Sequence, residues 1–368
     1  MFDEIKGKLA FGLMRLPQKG DDIDYDRVSD MVDYFLDQGF NYIDTARPYH
    51  SGMSEKAVKK CISDRHDRSE YLLADKLTSG FFKMEEDIAP LFEDQLATTG
   101  AGYFDFYLIH AVSAGNYPFY QKTKAFEQAA KFKEEGKIRH LGFSFHDSPE
   151  LLEQILTEHP DVDFIQLQYN YLDLDAPNVQ ARKNLEVCRK HGKPVMVMEP
   201  VKGGTLANLI PAATESLEKV YEGTPASLAI RFVASQPGIQ VVLSGMSDMD
   251  QMKDNTSYMK DFQPLSEQEA ALVEEIRDIY DNVEMVACTK CKYCYDGCPK
   301  HINIPEVFTA LNGARIQDLS AKAWRWPAAI KDHGLPSECI KCGKCERICP
   351  QHLPIRSLLE EAAATFEN

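Results

Sequence analysis

The sequence predicts an α/β protein: a (β/α)8 barrel of the TIM type followed by a small, mainly helical domain. Three observations carry that reading. From Lys8 to about Gly245, short apolar runs alternate with amphipathic stretches eight times over. Such alternation argues a parallel sheet, and eight units in about 250 residues argue a closed barrel. Ser266 followed by Glu269 is a capping box that opens a new helix. Beyond it lie two cysteine runs of identical spacing, in a stretch too short for a second large core.

The expected strands are 9–13, 41–44, 71–76, 104–110, 140–144, 164–168, 195–199 and 240–244. The helical patterns between them fall at 25–38, 54–61, 84–99, 122–135, 149–156, 179–191 and 226–235, where apolar residues recur at helical spacing. A helix over 267–280 is expected to link barrel to tail. The domains are therefore set at 1–265 for the barrel, 266–285 for the linker helix and 286–368 for the tail.

The tail takes its character from its cysteines. Cys288, Cys291, Cys294 and Cys298 precede Pro299 with the spacing C-x2-C-x2-C-x3-C-P, and Cys339, Cys342, Cys345 and Cys349 precede Pro350 with the same spacing 51 residues later. His301 and Ile304 recur at that offset as His352 and Ile355, so this is an internal repeat. Three thiolates two residues apart wrap one iron–sulfur cubane, and the fourth leaves the loop at an angle to ligate the other cluster. The expected [4Fe–4S] ligand sets are Cys288, Cys291, Cys294 with Cys349, and Cys339, Cys342, Cys345 with Cys298. Two four-cysteine zinc sites are the alternative, but those more often pair two C-x2-C knuckles without the third cysteine or the Pro. Residues 299–338 exceed the compact bacterial ferredoxin loop, and 304–311 and 319–326 read as short helices. The tail therefore reads as a helical ferredoxin type, with Trp324 and Trp326 packed inside it and a last helix over 355–366. The remaining thiols, Cys61 and Cys188, fall on helical patterns as inert packing groups.

Composition limits the function classes. The chain is 44% hydrophobic and 27% charged, which is ordinary for a globular protein. No apolar run approaches the ~20 residues of a membrane span. Met1 to Lys6 is acidic and has no signal-peptide core, so a cytoplasmic protein with reduced thiols is expected. The net charge of −16 lies ahead of residue 286, because 286–368 carries 11 basic and 9 acidic residues. An acidic barrel argues against a nucleic-acid partner. Lys290, Lys292, Lys341 and Lys344 either offset cluster charge or form a solvated basic face.

In such barrels chemistry sits where strands end. Asp44 ends the second strand, Lys76 the third and His110 the fourth, and Tyr49 follows in the loop after Asp44. Each alone reads as packing or a rim charge. Four polar groups on the same rim of consecutive strands read as a site. These residues sit in stretches that resemble the aldo/keto reductases over about 1–262. The matching segments are 11–17, 41–49, 74–77, 105–110, 137–144, 166–170 and 199–204. The tail looks like the ferredoxin-type extension found on a branch of that family.

The resemblance implies a catalytic tetrad of Asp44, Tyr49, Lys76 and His110 that reduces a small-molecule carbonyl with NADP or NAD. The chemistry agrees: hydride addition builds charge on oxygen and needs a proton donor, and a nearby ammonium lowers a tyrosine's pKa of about 10. The family further implies Ser144 and Gln166 at the nicotinamide carboxamide. It implies the Lys202, Gly203 and Gly204 loop over the pyrophosphate, and Gly245, Gln251 and Asn255 toward the adenosine. This chain has Met198 where a stacking aromatic is common. It has Asp248 and Asp250 where Lys and Arg commonly grip a 2′-phosphate, and carboxylates repel a phosphate. Tyr25, Phe81, Phe82, Tyr117 and Phe119 are candidates for an apolar pocket or for plain packing.

Hydride carries two electrons and each cluster one. Three readings stay open: carbonyl reduction with structural or sensory clusters, electron delivery from ferredoxin or another redox protein to a flavin or other acceptor in the barrel, and a non-catalytic electron-carrier subunit.

Overall fold

The computed structural model describes residues 2–367; Met1 and Asn368, the outer bounds of the expected domains, lie outside them. Eight parallel strands close a barrel in strict chain order. They are β1 (Leu9–Gly12), β2 (Tyr42–Asp44), β3 (Leu72–Leu77), β4 (Phe104–Val112), β5 (Ile138–Phe145), β6 (Phe164–Gln168), β7 (Val195–Met198) and β8 (Ile239–Ser244). Closure is made by β1 on β8, with Leu9 opposite Val242 and Phe11 opposite Ser244. All eight expected strands are present within a few residues of their expected ends.

Strand side chains alternate between faces, and the inward set is apolar low in the barrel. Ala10, Tyr42, Leu72, Ala74, Phe106, Leu108, Phe164, Met196, Val241 and Leu243 form one buried cluster, with Phe2 packed against it. Gly142 of β5 belongs to this inward phase, and a Cβ there would stand 2.5 Å from the Phe164 carbonyl oxygen. Glycine is what lets the Phe164 ring fill that layer.

The helices follow local signals. Tyr25–Asp37 starts at Asp24, whose carboxylate accepts from the Arg27 backbone N–H, and buries Val28, Met31, Val32 and Phe35. Pro149–Glu158 opens on Ser148 with Pro149 in its first turn. Glu267–Asp281 opens on the expected capping box: Ser266 N donates to Glu269 Oε2 and Glu269 N to Ser266 Oγ, at 2.7 and 3.2 Å. Helices Tyr117–Lys122, Pro211–Val220 and Met249–Lys260, and a short hairpin of Gln18–Lys19 with Asp22–Ile23, are among the elements the periodicity did not announce. Among the described residues no helix is long and apolar enough to cross a membrane.

The residues group into two compact units. One holds the chain up to Pro200 with Ala226–Ala270; the other holds Val201–Pro225 with the residues from Ala271 onward. The sequence places 201–225 inside the barrel domain, whereas its contacts are with the C-terminal residues. Ile210 N donates to the Tyr280 hydroxyl at 3.2 Å, and a Cβ on Gly204 would stand 2.8 Å from Leu319 Cδ1.

The second unit has its own core of Val286, Cys294, Ile302, Ile304, Val307, Phe308, Leu311, Ile355, Leu358 and Leu359. Ile304–Arg315 and Ile355–Phe366 are the helices that supply most of it. Trp326 stacks on Phe366 at 4.7 Å as a packing residue. Trp324 does not pack inside: it is 60% exposed, because the wide π turn Ala321–Arg325 rotates it outward, where Arg325 lies over its ring. Cys61 and Cys188 are fully buried, and burial pushes both thiols up.

Candidate active site

The polar residues at the barrel mouth continue the inward phase of the apolar layer. Two residues on from Tyr42 is Asp44; from Ala74, Lys76; from Leu108, His110; from Gly142, Ser144; from Phe164, Gln166; from Met196, Met198. Successive inward positions therefore change from hydrocarbon to chemistry at one level of the barrel.

Lys76 is buried, and its Nζ donates to Asp44 Oδ1 and to the Thr45 carbonyl oxygen, each at 2.7 Å. Burial disfavours the ammonium, but Asp44 and the neighbouring Tyr49 outweigh it, so its pKa is raised. Tyr49 follows β2 in a tight loop where His50 and Ser51 are left-handed at φ 48° and 55°. The loop is tied down: Leu16 N donates to His50 Nε2 at 3.1 Å, and Ser54 Oγ donates to the Leu13 carbonyl oxygen. Lys76 Nζ stands 4.9 Å from the Tyr49 ring centre, and the His110 ring meets it edge-on at 6.1 Å. Burial raises the Tyr49 pKa, Lys76 pulls it back, and the balance lies above the usual tyrosine value. The sequence expectation of a lowered value holds for the Lys76 contribution alone; the phenol is held protonated.

His110 is pushed well below the usual histidine range by burial, by Lys76 and by His146, so the ring is neutral at pH 7. Thr78 Oγ1 lies 2.6 Å from its Nδ1, and the Tyr120 hydroxyl donates to its carbonyl oxygen at 2.7 Å. The next residue, Ala111, is left-handed at φ 51°, where β4 and β5 slip register. Its N–H donates to Ser144 Oγ at 2.7 Å, and its carbonyl accepts from Asn116 Nδ2. A strained non-glycine residue held this firmly beside a titratable group points to a functional constraint.

Ser144 and Gln166 are directly opposite on β5 and β6. Ser144 Oγ accepts from Ala111, so its own proton is left to donate. Gln166 Nε2 donates to Asp44 Oδ2 at 3.3 Å, which leaves Oε1 to accept. Behind Lys76 lies a buried network that the sequence did not reveal. Arg47 pairs with Glu55 at 2.9 Å, Gln95 Nε2 donates to Glu55 Oε1 and to the Lys76 carbonyl, and the Tyr107 hydroxyl donates to Gln95 Oε1. Glu55 and Gln95 were detectable as polar residues on the apolar stripes of their helices, beside Val58 and Ile62 and beside Phe92 and Thr99.

The other expected cofactor residues fall in two places. Gln251 and Asn255 lie on Met249–Lys260, after Gly245. Asp248 caps that helix by accepting from Gln251 N, while Gln251 Oε1 accepts from Ser247 N. Asn255 Nδ2 donates to Ser244 Oγ and its Oδ1 accepts from Tyr258, so its amide is already fixed. Lys202, Gly203 and Gly204 belong to the second unit. Of the aromatic candidates, Phe82 and Tyr117 are buried packing residues and Phe81 is exposed.

In the second unit Cys288, Cys291, Cys294 and Cys349 line one cavity, and Cys298, Cys339, Cys342 and Cys345 line another. Each outlines about 330 Å³ of space, part of it open to solvent. Among the described residues no three His, Cys, Asp or Glu side chains are set to hold a single ion. The two cysteine loops share one backbone form. Lys290 and Lys341 are left-handed at φ 55° and 56°, Lys292 and Gly343 at 66° and 69°, and His301 and His352 both at 51°. Lys292 lines the first cavity and Lys344 the second, while Lys290 and Lys341 pair with Glu306 and Glu360.

A closed barrel with titratable side chains gathered at one rim is the frame of a (β/α)8 enzyme. Residues 8–278 match the aldo/keto reductase family model, and the chain belongs to that family. Residues 280–353 match the 4Fe-4S dicluster domain. Similar proteins include the NADH-specific methylglyoxal reductase of Escherichia coli (strain K12), 25% identical over 287 residues, 65% of this chain and 84% of that one. Among solved structures, an aldo-keto reductase from Bacillus halodurans in its holo form is 24% identical with a TM-score of 0.60, covering 73% of this chain and 91% of that one. An aldo-keto reductase from Klebsiella pneumoniae in complex with NADPH is 21% identical with a TM-score of 0.59, covering 74% and 95%. Both likenesses are of fold.

The buried imidazoles also set acid stability. His110 and His146 have folded pKa values below the unfolded value of about 6.5, chiefly through burial. The unfolded chain therefore binds protons first as pH falls. Their stabilisation is complete above about pH 6.5 and is lost progressively below it. Through these two groups melting temperature should fall from pH 7 to pH 5, against the opposing contribution of Asp75 and Glu55, whose carboxyls burial raises. His110→Gln should flatten that slope; an unchanged slope contradicts the assignment.

Proposed function

We propose that the barrel reduces a small-molecule carbonyl with NAD(P)H, with Tyr49 as proton donor. The observation that carries this reading is the inward phase shared by Asp44, Lys76, His110, Ser144 and Gln166, with Tyr49 against Lys76. One donor on Ser144 and one acceptor on Gln166, side by side, match a carboxamide. In this reading Gly245, Gln251 and Asn255 serve the adenosine end. A reduced nicotinamide, when bound, supplies hydride. Tyr49 holds its proton at neutral pH and gives it to the developing alkoxide. The Lys76 ammonium stabilises the phenolate left behind, and Asp44 keeps that ammonium charged and in place. Neutral His110 orients the carbonyl oxygen through a ring N–H.

The eight cysteines hold two [4Fe–4S] clusters for electron transfer with ferredoxin or another redox protein. Four sulfurs around a space, rather than closed on a point, fit a cubane better than zinc. The left-handed non-glycine residues repeated in both loops fit backbone wrapped around a cluster.

Asp248 and Asp250 favour a cofactor without a 2′-phosphate, as does the NADH specificity named for the Escherichia coli relative. Anaerobically purified protein should oxidise NADH at least as fast as NADPH when methylglyoxal or another small aldehyde is added. No aldehyde-dependent oxidation of either would overturn the reading.

A further inference from the structure

We propose that the Thr78 hydroxyl donates to His110 Nδ1 and thereby fixes the ring as the Nε2–H tautomer, making Thr78 a positioning residue for carbonyl reduction. The inference deepens the proposed reading and rests on it for the catalytic consequence. Its own content is a proton location.

The geometry is specific. Thr78 follows Lys76 by two residues, just past the end of β3, and so approaches the end of β4 from the neighbouring strand. Its Oγ1 stands 2.6 Å from Nδ1, a short hydrogen bond for a neutral pair. A neutral imidazole carries one N–H, and its place is set by what the other nitrogen does. Among the described residues the Thr78 hydroxyl has no other hydrogen-bond partner. Donation to Nδ1 is therefore the arrangement that uses its proton within the protein, whereas a proton on Nδ1 would leave the hydroxyl's own without an acceptor among the described residues.

The rest of the ring's setting agrees. Burial, the Lys76 ammonium and His146 keep a second proton off the imidazole. The peptide bond that follows the ring is clamped at both of its polar groups, by Tyr120 on the His110 carbonyl and by Ser144 on the Ala111 N–H. With backbone and charge fixed, the tautomer is the remaining freedom, and one hydroxyl removes it. Nε2 is then the hydrogen donor of the ring, the form a carbonyl oxygen requires.

The test uses the full chain with its clusters oxidised and ¹⁵N-labelled histidine, the His110 signals being identified by their loss in His110→Asn. Wild type should show a protonated Nε2 and an unprotonated, hydrogen-bonded Nδ1. Thr78→Val, close in shape, should give a mixture of tautomers and lower kcat about tenfold with KM little changed, the rate equivalent of one neutral hydrogen bond. Thr78→Ser should restore both the spectrum and kcat. A wild-type ring protonated on Nδ1, or a Thr78→Val spectrum identical to wild type, overturns the proposal. The spectrum stands apart from turnover: the expected tautomers in a protein that reduces no carbonyl would sink the functional reading and leave this one standing.

Discussion

Tyr49→Phe lowers kcat for carbonyl reduction by about 10²–10⁴-fold, the usual contribution of a positioned proton donor. The change removes one hydroxyl from a ring whose packing is otherwise kept, so the fold and dinucleotide affinity should survive. The size of the loss follows from the setting. Burial alone raises the Tyr49 pKa and would make the phenolate a poor leaving state; the Lys76 charge is what brings proton transfer within reach. Lys76 in turn is a buried ammonium that stays charged because Asp44 and the Thr45 carbonyl each accept a hydrogen bond from it at 2.7 Å. Breaking such a pair by removing the carboxylate leaves an uncompensated buried charge. Kinetics of Tyr49→Phe with a dinucleotide-binding measurement checks the claim. Full carbonyl reduction by the variant would remove Tyr49 from the chemistry.

The second large effect is a crossed one. Cys349→Ser should abolish the cluster held by Cys288, Cys291 and Cys294, although those residues precede it by more than fifty positions, and should spare the cluster of Cys339, Cys342 and Cys345. Cys298→Ser should do the reverse. The reason is the cavity lining: Cys349 stands with Cys288, Cys291 and Cys294, and Cys298 with Cys339, Cys342 and Cys345. A cluster ligated within one loop predicts the opposite loss. Iron content should fall by about half in either variant, since each run supplies three ligands to one cubane and one to the other. The double variant should lose both clusters. Because Cys294 sits in the core with Ile304, Phe308 and Ile355, losing the first cluster should also cost the unit its stability. Electron paramagnetic resonance of the reduced proteins tells which centre remains.

Much of this was written in the sequence, and for a physical reason. Strand side chains alternate with period 2, so the rim residues Asp44, Lys76 and His110 can be phased from the apolar positions below them. The cysteine repeat is legible because cluster ligation fixes spacing. The last helix and the Ser266–Glu269 capping box were readable from local chemistry alone.

What escaped depends on neighbours distant in the chain. Thr78 matters only because β3 and β4 bring it to His110, 32 residues away. Glu55, Gln95 and Tyr107 form a network across three elements, and a polar residue on an apolar stripe does not by itself name its partners. Helix Met249–Lys260 hides from periodicity because its buried stripe, Met252, Asn255, Thr256 and Met259, is half polar, although Asp248 three residues before Gln251 was the start signal. Residues 201–225 follow β7 in the chain yet pack with the C-terminal unit, and nothing in their composition says so. Trp324 turned outward because a π turn changes the phase that an α-helical reading assumes.

In the proposed function eight thiolates hold two iron cubanes in one chain with a barrel that moves hydride. Metal and acid-labile sulfide analysis of protein purified without oxygen tests that most directly. Two [4Fe–4S] clusters require about eight irons and eight sulfides per chain; about two zinc ions, with no sulfide, would contradict it.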